Sequence, residues 1–368
     1  MASTLPPPRD VPTTPAISAP DINAIYEVID KEEKGRGAFS RVVVGTHKAT
    51  GQPRAIKIME KAGLVGKKAE MVAHEKEILR RTRHPAIIHL HECVQTPDRV
   101  YMVMDLMQGD LFDYIVKNKK LSEHDSALIM HQLLSAVDYL HQASVIHRDI
   151  KPENILINSP NEIKLADFGL AKVVQDWDVK STPCGTSFYI APEIIRGIEA
   201  NGAKPLCTTR DEVKFVDLWS CGVVLFVMLA GRPPFTGQVK SSHERRQLLA
   251  KIDRGLLFPD AQWAHISEEA KDLVARLLTQ DISMRITANK ALHHPWFNLV
   301  KGSTDAAVIN PGEEVSREDL AQGVNEVQKD IVETGDQEGD ETTYKVDRLE
   351  PKTAPGQKKA MAAFPGKK

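Results

Sequence analysis

The sequence predicts an α+β chain of two lobes, a small β-rich one followed by a larger, mainly helical one, set between polar tails. Three observations carry this. At 368 residues the chain exceeds what one small core covers, so two lobes plus tails are expected. From Ile25 to about Asp105, short β-branched runs such as Val42-Val43-Val44 and Ile56-Lys57-Ile58 are separated by charged turns. Beyond them, apolar residues recur at helical spacing, first at Leu128, Ile129, Leu133, Leu134, Val137 and Leu140.

Composition narrows the class. An apolar fraction of 42% and a charged fraction of 27% are those of an ordinary soluble globular protein. A net charge of −2 gives no overall basic field, so nucleic acid is not an expected partner. Cys93, Cys184, Cys207 and Cys221 form no Cys-x-x-Cys pair and read as reduced thiols of a cytoplasmic protein, with the nucleus as the alternative. Residues 1–20 carry prolines where a secretory segment needs an apolar run. Such a segment cannot offset its ordering entropy and is predicted disordered, with a proline-rich ligand as the functional alternative. The longest near-apolar run, Cys221 to Ala230, is about half the ~20 residues of a membrane helix. It predicts a buried helix and no membrane.

The chemistry concentrates in residues 145–157. The apolar pair Val145-Ile146 leads into His147-Arg148-Asp149, then Lys151, Pro152, Glu153 and Asn154, then Ile155-Leu156-Ile157. A hydrophobic strand on each side of a charged turn holds polar groups rigidly at a cleft. A second such turn follows at Asp167-Phe168-Gly169. Phosphoryl transfer needs a carboxylate for the hydroxyl proton, a cation near the moving group, and oxygen ligands for magnesium. Asp149, Lys151, Asn154 and Asp167 supply these in order. A lone Asp-Phe-Gly would be only a turn, but the two blocks at this spacing resemble the eukaryotic protein kinases.

The resemblance extends in both directions. Gly35-Arg36-Gly37-Ala38-Phe39-Ser40-Arg41-Val42 resembles the glycine-rich loop, whose backbone N–H groups approach the ATP phosphates, with Ser40 in place of the third glycine. Lys34 stands where the family usually has an aliphatic residue. Lys57, in Ala55-Ile56-Lys57, matches the lysine that pairs with the α- and β-phosphates and with a glutamate on the next helix. That helix is predicted from about Lys67 to Thr82. Glu75 fits the position best, and Glu77 is the alternative. His84-Pro85 ends the helix, and strands are expected over Ile87 to Cys93 and Val100 to Asp105. Asp105-Leu106-Met107 resembles the hinge whose backbone bonds the adenine edge, with Met104 gating the pocket behind it. Gln108-Gly109-Asp110-Leu111-Phe112-Asp113 resembles the calmodulin-dependent-like kinases but is one glycine short. The resemblance gives Asp110 to the ribose and to an incoming basic substrate residue.

Ser122 starts the long helix with an N-cap and an acidic first turn. After Asp167, Cys184-Gly185-Thr186 and Ala191-Pro192-Glu193 match the end of a serine/threonine-type activation loop. There Thr186 bridges the catalytic aspartate and lysine. Thr182 matches the activating phosphothreonine, with Ser181 as alternative acceptor, and Arg148 and Lys172 match its phosphate-binding positions. Residues 197–212 read as an inserted polar loop. In the family pattern Asp217 anchors the catalytic loop's backbone, and Arg285 pairs with Glu193. The resemblance spans about 22–297, with the small lobe at 22–103 and the larger at 108–297. Residues 302–350 hold fourteen acids and four bases and are expected to be a mostly disordered tail; its one helical stripe is Leu320, Val324, Val327 and Ile331. Residues 351–368 switch to basic.

The reading is a protein serine/threonine kinase using ATP and Mg2+. The resemblance implies these residues at the nucleotide: Gly35, Gly37, Ser40, Val42, Ala55, Lys57, Met104, Asp105, Met107, Asp110, Leu156 and Asp167. Asp149, Lys151, Lys57, Glu75 and Thr186 form the catalytic set, and Asn154 and Asp167 the metal ligands. Protein substrates and an upstream activating kinase are the expected partners. Calmodulin is not expected, because the segment after Phe297 is acidic where a target helix is basic. A pseudokinase scaffold would require loss of Lys57, Asp149, Asn154 or Asp167, and all four are present. A small-molecule kinase of the same fold is disfavoured by the complete Ala191-Pro192-Glu193.

Overall fold

The computed structural model describes residues 21–36, 40–173, 187–201 and 211–302. Gly37, Ser181, Thr182, Cys184, Thr186, Cys207, the proline-rich start and the two tail segments lie outside the described residues. The described residues divide into two compact units, one holding residues 21–65 with His91–Leu106, the other Gly66–Leu90 and residues 107–302.

The first unit is a sheet. After a short helix, α1 (Ile22–Ile25), capped by the Asp21 side chain, come β1 (Tyr26–Arg36), β2 (Ser40–His47) and β3 (Pro53–Glu60). In the second unit follows α2 (Lys67–Arg81). The chain then returns to the sheet with β4 (Leu90–Gln95) and β5 (Arg99–Met104), giving the order β1-β2-β3-β5-β4. Alternating β-branched residues supply its inner face. Val43, Ile56, Ile58, Val94 and Val103 pack with Ile22, Tyr26 and Tyr101 into one core. Register puts Val42 opposite Lys57 and Ala55 opposite Met104.

The strand expected from Ile87 starts three residues late. Residues 86–88 instead serve the second unit: Ile87 bridges Leu165 in parallel, Leu165 N–H donates to Ala86 O (2.8 Å), and Ile88 N–H donates to Leu165 O (2.9 Å).

The second unit continues with β6 (Gly109–Asp110), α3 (Leu111–Asn118), α4 (Glu123–Gln142), β7 (Val145–Ile146), β8 (Ile155–Ser159), β9 (Glu162–Leu165) and β10 (Lys172–Val173). Then come α5 (Pro192–Asn201), α6 (Phe215–Ala230), α7 (Ser242–Asp253), α8 (Asp260–Trp263), α9 (Glu268–Leu277) and α10 (Ala288–Leu292). Ser122 caps α4 as expected, its side chain accepting from Asp125 N–H at 3.0 Å. Part of the predicted inserted loop is helix, because α5 runs on to Asn201. Its side chains hold it to α7 and beyond: Glu199 accepts from Ser242 Oγ (2.7 Å) and Arg245 (2.5 Å), while Arg196 donates to Gln280 (2.6 Å).

Helix α6 is the spine, packed against α4 and α9 and buried from Val216 to Leu229. Residues 212–230 are long and apolar enough to cross a membrane, yet 83% of their most apolar 18-residue window lies inside the protein. Close helix approach depends on Gly222. A Cβ there would sit 2.8 Å from Leu278 Cδ2 and 2.9 Å from Leu277 Cβ, and the latter cannot move without the α9 backbone. Overpacking costs roughly 1–3 kcal/mol, against a helix-propensity gain of about 1 kcal/mol from alanine. Gly222→Ala is therefore expected to lower the melting temperature; an unchanged or raised value would show that α9 yields freely.

His84, just past α2, bonds Ser135 Oγ through Nε2 (3.0 Å) and accepts from Ala86 N–H through Nδ1 (3.1 Å). Burial, with help from the charge of Lys164, pushes its pKa from 6.5 down to about 4. A folded-state value below the unfolded one means the unfolded chain takes the proton first. The stability it secures is complete above 6.5 and lost as pH falls through about 4, amounting to roughly 3 kcal/mol. His84→Gln should flatten the fall in melting temperature between pH 7 and pH 4 (about neutral to the folded pKa), and parallel curves for parent and variant would refute the assignment.

Candidate active site

The turn that holds His147, Arg148 and Asp149 is anchored from a distance. Asp217, buried in the first turn of α6, accepts the backbone N–H of His147 (3.0 Å) and of Arg148 (2.8 Å). His141 Nε2 lies 2.9 Å from the same carboxylate. An ionised carboxylate only accepts, so His141 donates. Burial acts to raise the Asp217 pKa, but the His141 bond and charge, with His147 and the Arg148 N–H, outweigh it and hold the carboxyl low. This grip falls where the backbone is strained. Arg148 has φ 64° and so does Asp167, both left-handed without being glycine. Such conformations cost of order 1 kcal/mol or more and persist only where surroundings over-determine them.

His147 is fully buried and faces Phe168 edge-on at 4.8 Å. Its Nδ1 accepts from Asp149 N–H (3.3 Å) and its Nε2 lies 3.2 Å from Ala166 O, so Nε2 carries the proton. Burial pushes its pKa down, in keeping with a neutral ring. The imidazole thus ties the turn bearing Asp149 to the one bearing Asp167.

Asp149 is 8% exposed. Its Oδ2 accepts from Lys151 Nζ at 2.7 Å and from Asn154 Nδ2 at 2.8 Å, while that amide also reaches Asp149 O at 2.8 Å. The 3₁₀ turn Pro152–Asn154 brings Asn154 back under Asp149. With its nitrogen so occupied, Asn154 keeps its carbonyl oxygen for another partner. Gly169 N–H donates to Asp167 Oδ1 (3.4 Å). Arg148 Nε donates to Leu170 O (2.7 Å). Lys172 on β10 is registered against Ile146 on β7, two residues before Arg148.

On α2, Glu75 is buried and so is Glu77. Glu77 spends its carboxylate on its own helix, accepting from Arg80 (3.0 and 3.1 Å) and from Arg81. His74, beside Glu75, has a buried Nε2 with no hydrogen-bond partner among the described residues. Burial and the charges of Lys172 and Arg148 hold its pKa low against the pull of Glu70. Sequence reasoning missed His74, His141 and His147 as individual contributors. Only the anchoring role of Asp217 gave a clue to the second of these.

Asp110 caps α3, its Oδ1 accepting Asp113 N–H at 2.8 Å. One oxygen of the residue assigned to ribose is thus already engaged. Leu156 faces Asp110 across β6–β8, Met107 is buried, and the adjacent Gln108 N–H donates to Asn158 Oδ1 (2.9 Å). Glu153 Oε2 is buried with no hydrogen-bond partner among the described residues, and burial raises its pKa, with Asp110 and Asp149 adding to the rise. In the first unit, β2, β3 and β5 hold Ser40, Val42, Ala55, Lys57 and Met104 on one sheet, Asp105 follows directly, and Gly35 lies near the end of β1. The described residues thus bring together Arg148, Asp149, Lys151, Asn154 and Asp167 in one unit.

Comparison with known families gives a match to the protein kinase domain over residues 28–297. The chain belongs to the protein kinase family. Myosin light chain kinase A of Dictyostelium discoideum is 41% identical over 280 residues, 75% of this chain and 89% of that protein. Calcium/calmodulin-dependent protein kinase type 1 of Macrobrachium nipponense is 38% identical over 281 residues, 75% of this chain and 76% of that protein. The SNF1-related protein kinase catalytic subunit alpha KIN12 of Arabidopsis thaliana is 39% identical over 267 residues, and this chain spans only 50% of its length. The kinase is of the serine/threonine type, like these relatives, and its group is the calmodulin-dependent-like one. Its family takes the phosphoryl group from ATP. In this kinase the matched span contains both the Asp217-anchored turn and the sheet that carries Lys57.

Proposed function

We propose that this kinase transfers the γ-phosphoryl group of ATP to serine or threonine in proteins bearing arginine or lysine upstream of the acceptor. The observation that carries the reading is the Asp149 carboxylate, buried yet held by Lys151 and Asn154. Asp149 orients the substrate hydroxyl and accepts its proton. Lys151, whose Nζ lies 2.7 Å from Asp149, is assigned to steady the γ-phosphate in the transition state. Asn154 Oδ1 and the Asp167 carboxylate are hard oxygen donors of the kind Mg2+ takes. Bound there, the metal would neutralise charge on the phosphates. Lys57 is assigned to the α- and β-phosphates. Glu75 rather than Glu77 is assigned to orient it, because Glu77 is engaged by Arg80 and Arg81. Thr186 completes the set as the residue linking Asp149 and Lys151. The adenine edge is assigned to the backbone of Asp105 and Met107. Catalysis of this type is positioning and charge stabilisation.

The basic preference rests on Glu153. Its buried oxygen has no partner among the described residues, and Asp110 and Asp149 stand close enough to raise its pKa. A guanidinium would satisfy it through a charge-assisted bond. The reading also includes a switch at Thr182, with Arg148 and Lys172 receiving the phosphate and ordering the activation loop. Pro183 suits a proline-directed upstream kinase. Calmodulin is left out as a partner because the sequence after Phe297 is acidic, and Pro351, Pro355 and Pro365 interrupt its basic end. Micromolar calcium-dependent binding of calmodulin to residues 298–368 would overturn that exclusion.

A phosphorylation profile on a serine/threonine peptide array, with Asp149→Asn as blank and myosin light chain as one added substrate, tests the whole. Upstream arginine should raise incorporation, and phosphatase treatment should lower it in the parent but not in Thr182→Ala. No gain from upstream basic residues removes the Glu153 assignment. Equal activity of parent and Thr182→Ala in every state removes the switch.

A further inference from the structure

We infer that His91 is a positioning residue for the nucleotide base. It stands near the start of β4, the edge strand beside β5. Its Nε2 lies 2.7 Å from Oδ1 of Asp105, the first residue beyond β5. The two side chains are only 25% and 20% exposed, so solvent competes weakly for this bond. Strand pairing holds the chain up to Met104, which is registered against Ala55. One residue further on, the ladder has ended and the imidazole takes over. An ionised carboxylate can only accept, so Nε2–H donates to it. Charge-assisted bonds of this kind are roughly twice as strong as neutral ones.

The inference rests on the reading above, in which the Asp105 backbone meets the adenine edge. A carboxylate clamped to the neighbouring strand restricts rotation of the Asp105 peptide. The base then meets a backbone already in place and need not order it. Preorganisation of this sort raises affinity by removing an ordering cost. That cost is the same in ground state and transition state, so its return appears in KM for ATP and leaves kcat alone. His91 touches no reacting atom and is not a catalytic residue.

The test is steady-state kinetics of the full chain with a basic peptide, alongside inhibition by adenosine, which carries the base but no phosphates. His91→Phe keeps a ring and loses the donor. It should raise KM for ATP by a few-fold, up to about tenfold, the ordering cost that the free enzyme then has to meet on binding, with kcat held within about twofold. Adenosine should weaken by the same factor. His91→Gln keeps an N–H of similar reach and should restore both. An unshifted KM in His91→Phe, an equal loss in kcat, or failure of glutamine to rescue overturns the inference. If adenosine fails to compete with ATP in the parent, the hinge reading itself falls. If adenosine competes and His91→Phe is unshifted, only the role of His91 falls.

Discussion

Asp149→Asn is expected to abolish phosphoryl transfer in a protein that stays folded. The amide is the same size as the carboxylate, and its oxygen can still accept from Lys151 Nζ and Asn154 Nδ2, the partners 2.7 and 2.8 Å away. The backbone of the turn is fixed elsewhere, by Asp217 on the N–H groups of His147 and Arg148. What disappears is the group proposed to take the hydroxyl proton. Loss of a positioned base costs roughly 10²–10⁴-fold in rate. Lys151 keeps some access to water, at 18% side-chain exposure, so its charge is not stranded by the change. The measurement is kcat on a peptide substrate, beside a melting curve. Turnover within about tenfold of the parent would contradict the proton-accepting role. A collapse of the melting temperature would instead place Asp149 in the fold.

Arg285→Met should produce the largest loss of stability. Arg285 Nη1 and Nη2 grip Glu193 at 2.7 and 2.9 Å, and the two side chains are 0% and 4% exposed. The same guanidinium also donates to Phe215 O and Thr279 O, both at 2.8 Å, and lies over the Trp219 ring. Removing it leaves a buried carboxylate and two carbonyls without their donor. Breaking a buried pair from one side costs about 3–5 kcal/mol, because the surviving charge is uncompensated. The double change Arg285→Met with Glu193→Leu removes both charges and should recover part of the loss. Denaturant unfolding of the single and double variants decides between charge and packing. If the double variant is as damaged as the single ones combined, the loss lies in packing and carbonyl bonding, and the ion-pair argument fails.

The sequence by itself determined the local chemistry of this kinase. Short β-branched runs bounded by charged turns mark β2, β3 and β5, whose central residues are buried on both faces. The period-3.6 stripe from Leu128 to Leu140 and the Ser122 cap mark α4. Asp149, Lys151 and Asn154 lie within six residues of one another, so one turn suffices to bring them together. Resemblance added Asp217 to the catalytic loop and Arg285 to Glu193, pairings that no periodicity could have suggested.

Tertiary structure alone decided matters that depend on distant segments meeting. Arg148 is not a residue that seeks a left-handed backbone, and Asp167 is of a type that tolerates one; both hold it where Asp217, 69 residues from Arg148, and the buried ring of His147 fix the turns. Ile87 has the composition of a strand residue and leaves the first sheet because Leu165 offers its neighbours backbone partners. Gly197 reads as loop and lies in α5, a helix secured to α7 through Glu199. His91 and Asp105 are fourteen residues apart and meet because β4 and β5 are neighbours. A backbone group takes whichever partner the closed chain presents, and burial makes an unpaired one too costly to leave.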